Sequence, residues 1–279
     1  GDFGEAEAGH LEDADLAGCA ETVLGGAQHP EVMSGVAFEG EHGVDHMLVS
    51  VPPDGDGDPV LRHHGQLLRQ LAGRLRWLGY LSTTGVYGDH DGGWVSEETP
   101  LRPNTERGER RVAAERQWLD LAAAGLPVHV FRLAGIYGPG RSALDRVRAG
   151  KAHRIALPGQ IFSRVHVDDI VSGVLASFDR GPPGAYNLAD DRPCPQDDVV
   201  AFAAGLLGLP PPPIVALETL SAMARAFYAE NRRVANGKAK RLLGWRPAYP
   251  DYRLGLRALN AMTSPMPASP APAAASGDQ

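Results

Sequence analysis

The apolar positions of this chain fall into short runs separated by stretches of helical spacing. His46-Met-Leu-Val-Ser-Val51 is a compact apolar run closed by Pro52-Pro53, the pattern of a buried strand. After Val60, the residues Leu61, Leu67, Leu68, Leu71 and Leu75 recur at helical spacing, and Trp77–Thr83 reads as a second buried strand. A long helix is expected over 105–124, with Val112, Ala113, Trp118, Leu119 and Leu121 on its apolar side, followed by a third strand over 127–133. Asp168 or Asp169 is expected to cap a helix in which Ile170, Val171, Val174, Leu175 and Phe178 form one buried stripe. Further on, 185–189 reads as a short strand and 196–207 as a helix ended by Gly208. Asn236 is placed to cap a short helix that closes at Gly244. Strands and helices alternating at this spacing predict βαβ units, hence an α/β fold with a parallel sheet covered on both faces.

The two ends depart from this pattern. Residues 1–44 are acidic and rich in Gly and Ala, with no convincing long strand, and after about Met262 the chain becomes a Pro/Ala/Ser tract expected to be disordered. No internal repeat is present.

Composition narrows the classes of function. Of 279 residues, 43% are apolar and 22% charged, as in a soluble globular protein, and the net charge of -7 comes with no dense basic stripe. A nucleic-acid partner is therefore not expected. The arginines between 107 and 116 are interleaved with glutamates and read as a solvated helix face, and His63-His64 as surface residues. Cys19 and Cys194 show no C-x-x-C or zinc spacing, so free thiols and no metal site are expected. No apolar run approaches the roughly 18–20 residues that span a bilayer, and no secretory signal is visible, so a cytoplasmic protein with no membrane partner is expected.

The candidate chemistry lies in ordered motifs. In open α/β sheets, ligands bind beyond the carboxyl ends of the strands. Ser82, Thr83 and Thr84 sit at such an end, within Tyr80-Leu-Ser-Thr-Thr-Gly-Val-Tyr-Gly88; the bland alternative is hydroxyls that only satisfy nearby backbone. Arg132-Leu-Ala-Gly-Ile-Tyr-Gly-Pro-Gly140, Phe162-Ser-Arg-Val-His-Val-Asp-Asp169, Tyr186-Asn187-Leu188 and the stretch from Lys238 to Trp245 with Pro247 follow in sequence. Together these resemble the landmarks of the extended short-chain dehydrogenase/reductases, the family of nucleotide-sugar epimerases and dehydratases. The resemblance implies a Rossmann-like doubly wound parallel sheet with a small C-terminal α/β substrate lobe. It divides the chain into an incomplete or altered N-terminal part (1–44), a core (45–180, with an excursion at 139–163), the lobe (181–262) and a tail (263–279). NAD or NADP as cofactor, a small-molecule substrate and a possible homodimer through 105–124 are also implied.

Carried residue by residue, the resemblance places the family's catalytic hydroxyl at Thr83, with Tyr87 and Tyr137 the nearby phenols for proton transfer. Ser50, Val51, Ser82, Arg132, Leu133 and Ala134 would meet the cofactor, and Thr84, Arg107, Arg141 and His166 the substrate. The family's Tyr-x-x-x-Lys falls on Arg107 and Arg111, with Glu115 matching a downstream glutamate. Only three lysines occur, at 151, 238 and 240, and none follows a tyrosine by four residues. Arginine, with a pKa above about 12, cannot exchange the proton, although it can hold a phosphate or carboxylate. Arg107 therefore reads as an anion clamp or a salt-bridged helix residue. Residues 1–44 also lack Gly-x-Gly-x-x-Gly after an apolar strand, so either this end is truncated or altered, or the ordinary cofactor grip is lost. The expected function is an atypical NAD(P)-binding oxidoreductase or epimerase acting on a nucleotide-sugar-like or other polar metabolite. The alternatives are a non-catalytic NAD(P)-sensing or scaffold protein, or a truncated protein unable to bind dinucleotide.

Overall fold

The structure, a computed structural model, describes residues 35–40 and 43–263. Most of the N-terminal part, Cys19 and the tail beyond Thr263 lie outside the described residues. The strands are β1 (Gly35–Gly40), β2 (Gly43–Val49), β3 (Trp77–Thr83), β4 (Trp94–Val95), β5 (Val128–Leu133), β6 (Gly135–Tyr137), β7 (Arg164–His166), β8 (Gly184–Leu188) and β9 (Arg233–Val234). The α-helices are α1 (Pro59–Gln70), α2 (Glu106–Asp120), α3 (Ala143–Arg148), α4 (Val167–Asp179), α5 (Gln196–Leu206), α6 (Ala222–Phe227), α7 (Gly237–Leu242) and α8 (Tyr252–Thr263). Five strands form the main sheet in the order β1-β2-β3-β5-β8. β2, β3, β5 and β8 run parallel, while β1 pairs antiparallel with β2. β6–β7 and β4–β9 form separate two-stranded pairs.

Alternation along the strands builds two cores. Leu78 and Tyr80 of β3 and Val128 and Val130 of β5 pack with Val60, Leu68 and Trp118 of α1 and α2. Trp77 and Leu81, Phe131 and Leu133, and Tyr186 and Leu188 face the other way, onto Ile170 and Val174 of α4. Period-two side chains thus cover both faces, the Rossmann-like doubly wound arrangement expected. The indole N–H groups tie layers together: Trp77 Nε1 donates to Ser177 Oγ of α4 at 2.9 Å, and Trp118 Nε1 to Asp58 Oδ2 at the start of α1 at 2.8 Å. A third core, with Tyr137, Leu144, Val200, Tyr252 and Leu256, belongs to the C-terminal lobe.

Several local expectations need correction. Val171 and Leu175 are 41% and 49% exposed, because the stripe facing the sheet is Ile170, Val174 and Ser177, and its neighbours lie one helical step, about 100°, further round. α4 starts at Val167 and is capped by His166, whose Nδ1 accepts from Asp168 N; Asp168 and Asp169 occupy the first turn, where the helix dipole favours carboxylates. Asn236 stands at the cap position of α7 but makes no side-chain cap; its amide donates to Ala189 O at 2.8 Å and to Asp191 Oδ1 at 2.7 Å. β8, allotted above to the lobe, completes the main sheet. Residues 35–40, inside the stretch read as holding no convincing long strand, form the six-residue β1. By contrast, the helix over 105–124 is met by α2, capped by Thr105 Oγ1, and by a 3-10 turn over Leu121–Ala124.

The chain leaves β3 through a 3-10 turn, Thr84–Tyr87, ended by Gly88 at φ 71° and ψ -159°. That backbone region is open to glycine alone and costs other residues about 1–3 kcal/mol. A Cβ there would also run into the Arg102 carbonyl. Gly88→Ala is expected to lower stability by more than about 2 kcal/mol, read from the urea midpoint at unchanged slope.

Candidate functional site

The strand ends of the main sheet carry a buried polar row. Ser82, Arg132 and Asn187 are register partners across β3, β5 and β8, and all three are buried. Glu115, projecting from α2 and also buried, is the hub. Ser82 Oγ donates to Glu115 Oε1 at 2.5 Å, while Arg132 donates through Nη2 and Nε to Glu115 Oε2 at 2.8 and 3.1 Å. Arg132 Nη1 donates to the Tyr87 hydroxyl at 3.0 Å, which donates in turn to Asn187 Oδ1 at 2.7 Å. Asn187 is fixed further by Glu97 Oε1 on its main-chain N–H and by its own amide on Ala235 O. A buried ion pair is tolerated only when its remaining polar atoms are satisfied, and this one is embedded in such a network.

Thr83 follows Ser82 and is half-exposed between two buried neighbours. Its Oγ1 accepts from Gly85 N at 3.2 Å, opening the 3-10 turn. Thr84 is buried. Ser50 and Val51, just past β2, are half-buried, whereas Leu133 and Ala134 at the end of β5 are buried. Thr83, Ser82 and Arg132 are therefore brought together at the strand ends, with Tyr87 beneath them in the network.

The two arginines at the dyad positions differ sharply. Arg111 is buried, and its Nη1 donates to the Tyr80 hydroxyl at 3.2 Å and to Leu81 O at 3.0 Å. Its guanidinium also lies 5.7 Å from the Tyr80 ring centre, a cation–π placement. Arg107, in the first turn of α2, is exposed. The arginine stretch is thus not one solvated face: one member is a brace inside the sheet. Sequence reasoning gave no role to Glu115; the signal was present, since Arg111, Glu115 and Trp118 fall on one helical stripe with Val112.

Tyr137 and His166 form a second group, at the β6–β7 pair. They are register partners with ring centres 5.1 Å apart. Burial raises the Tyr137 phenol far above its ordinary pKa, with the Asp190 charge adding to the effect. Burial likewise raises Tyr87, offset in part by Arg132. A proton-transferring phenol needs its pKa lowered, whereas burial moves both of these upward; the Tyr87 hydroxyl is held in the network and the Tyr137 hydroxyl has no partner among the described residues. Burial lowers the His166 pKa, its ring packs on Tyr249 at 4.1 Å, and its Nε2 has no partner among the described residues. Arg141 is half-buried on the turn after β6. Neither His166 nor Arg141 joins the strand-end group through any of these contacts.

Comparison with known proteins accounts for this layout. A sequence profile of the NAD dependent epimerase/dehydratase family matches residues 67–189, from within α1 to the end of β8. Residues 67–189 belong to the NAD dependent epimerase/dehydratase family. It is 32% identical over 156 residues to a 3-diazoavenalumate denitrifying reductase from a Streptomyces species, covering 52% of this chain and 51% of that one. Protein YeeZ of Escherichia coli K12 is 34% identical over 175 residues, 60% of this chain and 61% of that protein. The chain thus spans about half to three-fifths of the length of these curated relatives. The solved structure of a functionally unknown conserved protein from Silicibacter pomeroyi is 54% identical, covers 79% of each chain and superposes with a TM-score of 0.75.

Membership of the epimerase/dehydratase family raises the question of a dinucleotide. Ser50 and Val51, expected above to meet the cofactor, lie half-buried just past β2, and Thr83 just past Ser82 at the end of β3. The strand ends present no phosphate cradle: the N-terminus of α1 is closed by the Asp58 carboxylate, which accepts from Leu61 N at 3.0 Å, and by Pro59, which has no N–H. Among the described residues no group of His, Cys, Asp or Glu is placed to hold a metal ion, and no helix is long and apolar enough to cross a membrane. A cavity of about 250 Å³ lies in the C-terminal lobe and is bordered by none of the residues assigned above from sequence.

Proposed function

We propose that this chain binds NAD or NADP and acts as an atypical oxidoreductase or epimerase on a nucleotide-sugar-like or other polar metabolite. A bound nicotinamide would supply hydride transfer; the chain's own residues bind and orient. The observation that carries this reading is Thr83, held half-exposed at the strand ends by a locked, buried row behind it. Its hydroxyl oxygen accepts from Gly85 N, which leaves the proton to orient a carbonyl or hydroxyl of the ligand. Arg107, at the exposed start of α2, is the candidate clamp for a substrate anion, and α2 the candidate face of a homodimer.

The test is titration of the purified chain with NADH and NADPH by cofactor fluorescence and calorimetry, followed by turnover on a panel of carbonyl and nucleotide-sugar substrates. Saturable binding is expected, with Thr83→Val lowering turnover by about 100-fold at nearly unchanged cofactor affinity. No binding of either cofactor would sink the proposal. A second reading, a non-catalytic NAD(P)-sensing protein, is favoured by the burial of both Tyr87 and Tyr137; binding without turnover across the panel is its signature.

A further inference from the structure

The C-terminal cavity has a chemistry of its own. It opens where residues 155–162 meet the start of α5. Ile155, Leu157, Phe162 and Pro195 supply apolar wall, and Phe162 meets Tyr228 edge to face with ring centres 5.7 Å apart. The polar lining is Gln160, Gln196, Asp197 and the Tyr228 phenol. Gln160 Nε2 already donates to Glu230 O at 2.7 Å, and Gln196 Oε1 accepts from Arg164 Nη2 at 2.7 Å. Asp197 is half-buried, with Oδ1 accepting from Ile155 N at 2.8 Å.

Charge and size restrict what can enter. No lysine, arginine or histidine lines the cavity, whereas one carboxylate does. Arg164, the buried cation beside it, is spent on the carbonyls of Phe162 and Cys194 and on Gln196. The adjoining end of α5 could in principle receive a phosphate, but its first turn carries Asp197 and Asp198, which repel one. A cavity of roughly 150 Å³ accepts a benzene molecule, and drug-sized ligands need about 300–1,000 Å³. The volume of about 250 Å³ lies between these limits. An aromatic-walled, acid-tipped space of that size suits one substituted ring.

We propose that this cavity is a binding site for a single-ring small molecule, neutral or cationic, whose hydrogen-bond donor meets Asp197, and that it rejects nucleotide diphosphates. The cavity contains neither Thr83 nor Arg107, so its selectivity stands apart from the dinucleotide-binding reading above.

The 279-residue chain, without dinucleotide, is titrated by calorimetry with tyramine and with its near-isosteric acid 4-hydroxyphenylacetate, and bound tyramine is challenged with UDP-glucose. Tyramine is expected to bind at least about tenfold more tightly than the acid, and UDP-glucose not to displace it. Ala156→Trp, at an exposed lining position where the fold tolerates bulk, should abolish tyramine binding. Asp197→Asn, which keeps an acceptor for Ile155 N, should shrink the preference to within about threefold. The proposal is overturned by equal or tighter binding of the acid, by displacement with UDP-glucose, by tyramine binding that survives Ala156→Trp, or by no binding of tyramine at all. NADH titration of the same preparation reports on the dinucleotide separately, so either reading can fail alone.

Discussion

Glu115→Ala is expected to lower stability by about 3–5 kcal/mol, the cost of leaving one partner of a buried ion pair uncompensated. The substitution strands the Arg132 guanidinium, whose Nε and Nη2 lose their acceptor, and leaves the Ser82 hydroxyl without the oxygen it donates to. Both residues are buried, so water cannot replace the carboxylate without opening the junction of α2 with the sheet. Arg132→Leu should cost a similar amount by stranding Glu115 instead. The double variant Glu115→Leu with Arg132→Met removes both charges together and should recover most of the loss, because well-packed apolar pairs often match buried ion pairs. Chemical denaturation of the parent, Glu115→Leu alone, Arg132→Met alone and the double variant closes the cycle. Simple additivity of the two single losses would show that the pair does not act as a unit.

Replacing Asp190 is expected to change the pH dependence of folding strongly. This carboxyl follows β8, is 3% exposed, and has one oxygen accepting from Arg192 N at 3.3 Å and the other without a partner among the described residues. Burial raises its pKa to about 7, against the attraction of Arg164 and with the charge of Asp251 adding to the rise. An unfolded aspartate titrates near about 3.9. The folded state therefore holds the proton where the unfolded chain has released it. The resulting stabilisation is fully present below pH ~4 and is lost as the pH climbs to about 7. Three units at ~1.36 kcal/mol each amount to about 4 kcal/mol across that window. Asp190→Asn should be the more stable protein at pH 7.5, and the difference between the two should vanish near pH 4. Parallel stability curves for the two proteins would refute this placement of the proton.

The fold was readable because its sheet is buried on both faces. Leu78 to Leu81 and Val128 to Leu133 are buried throughout and mostly apolar, the second broken by His129 and Arg132, and such runs announce a parallel sheet between helices. Helix existence was equally plain; orientation was not. Val171 and Leu175 are apolar yet exposed, and nothing in a list of apolar positions tells which hundred degrees of a helix meets the sheet. The strand-end location of Thr83 and Ser82 followed from the motif, but the roles of their neighbours did not. Tyr87 looked available because a sequence does not display burial; in the structure its hydroxyl is shared between Arg132 and Asn187, 45 and 100 residues away along the chain. Glu115 and Arg111 were hidden for the same reason, as their partners lie on β3 and β5. The cavity of the lobe was invisible because its walls come from three separated segments around residues 155–162, 195–197 and 228.

The antiparallel strand β1 has a bearing on how this chain could meet a complementing fragment. Its backbone pairs with β2 from Gly35 opposite Val49 to Gly40 opposite Gly43, with a bulge at Phe38/Glu39. The flank of β2 away from β3 is thereby occupied by the chain's own hairpin. A polypeptide carrying a parallel strand and a glycine loop, supplied in trans, would not find a vacant edge there. It would have to displace the hairpin pair by pair, as one zip opens another, so reconstitution should be set by the rate at which β1 lifts off rather than by the concentration of the fragment.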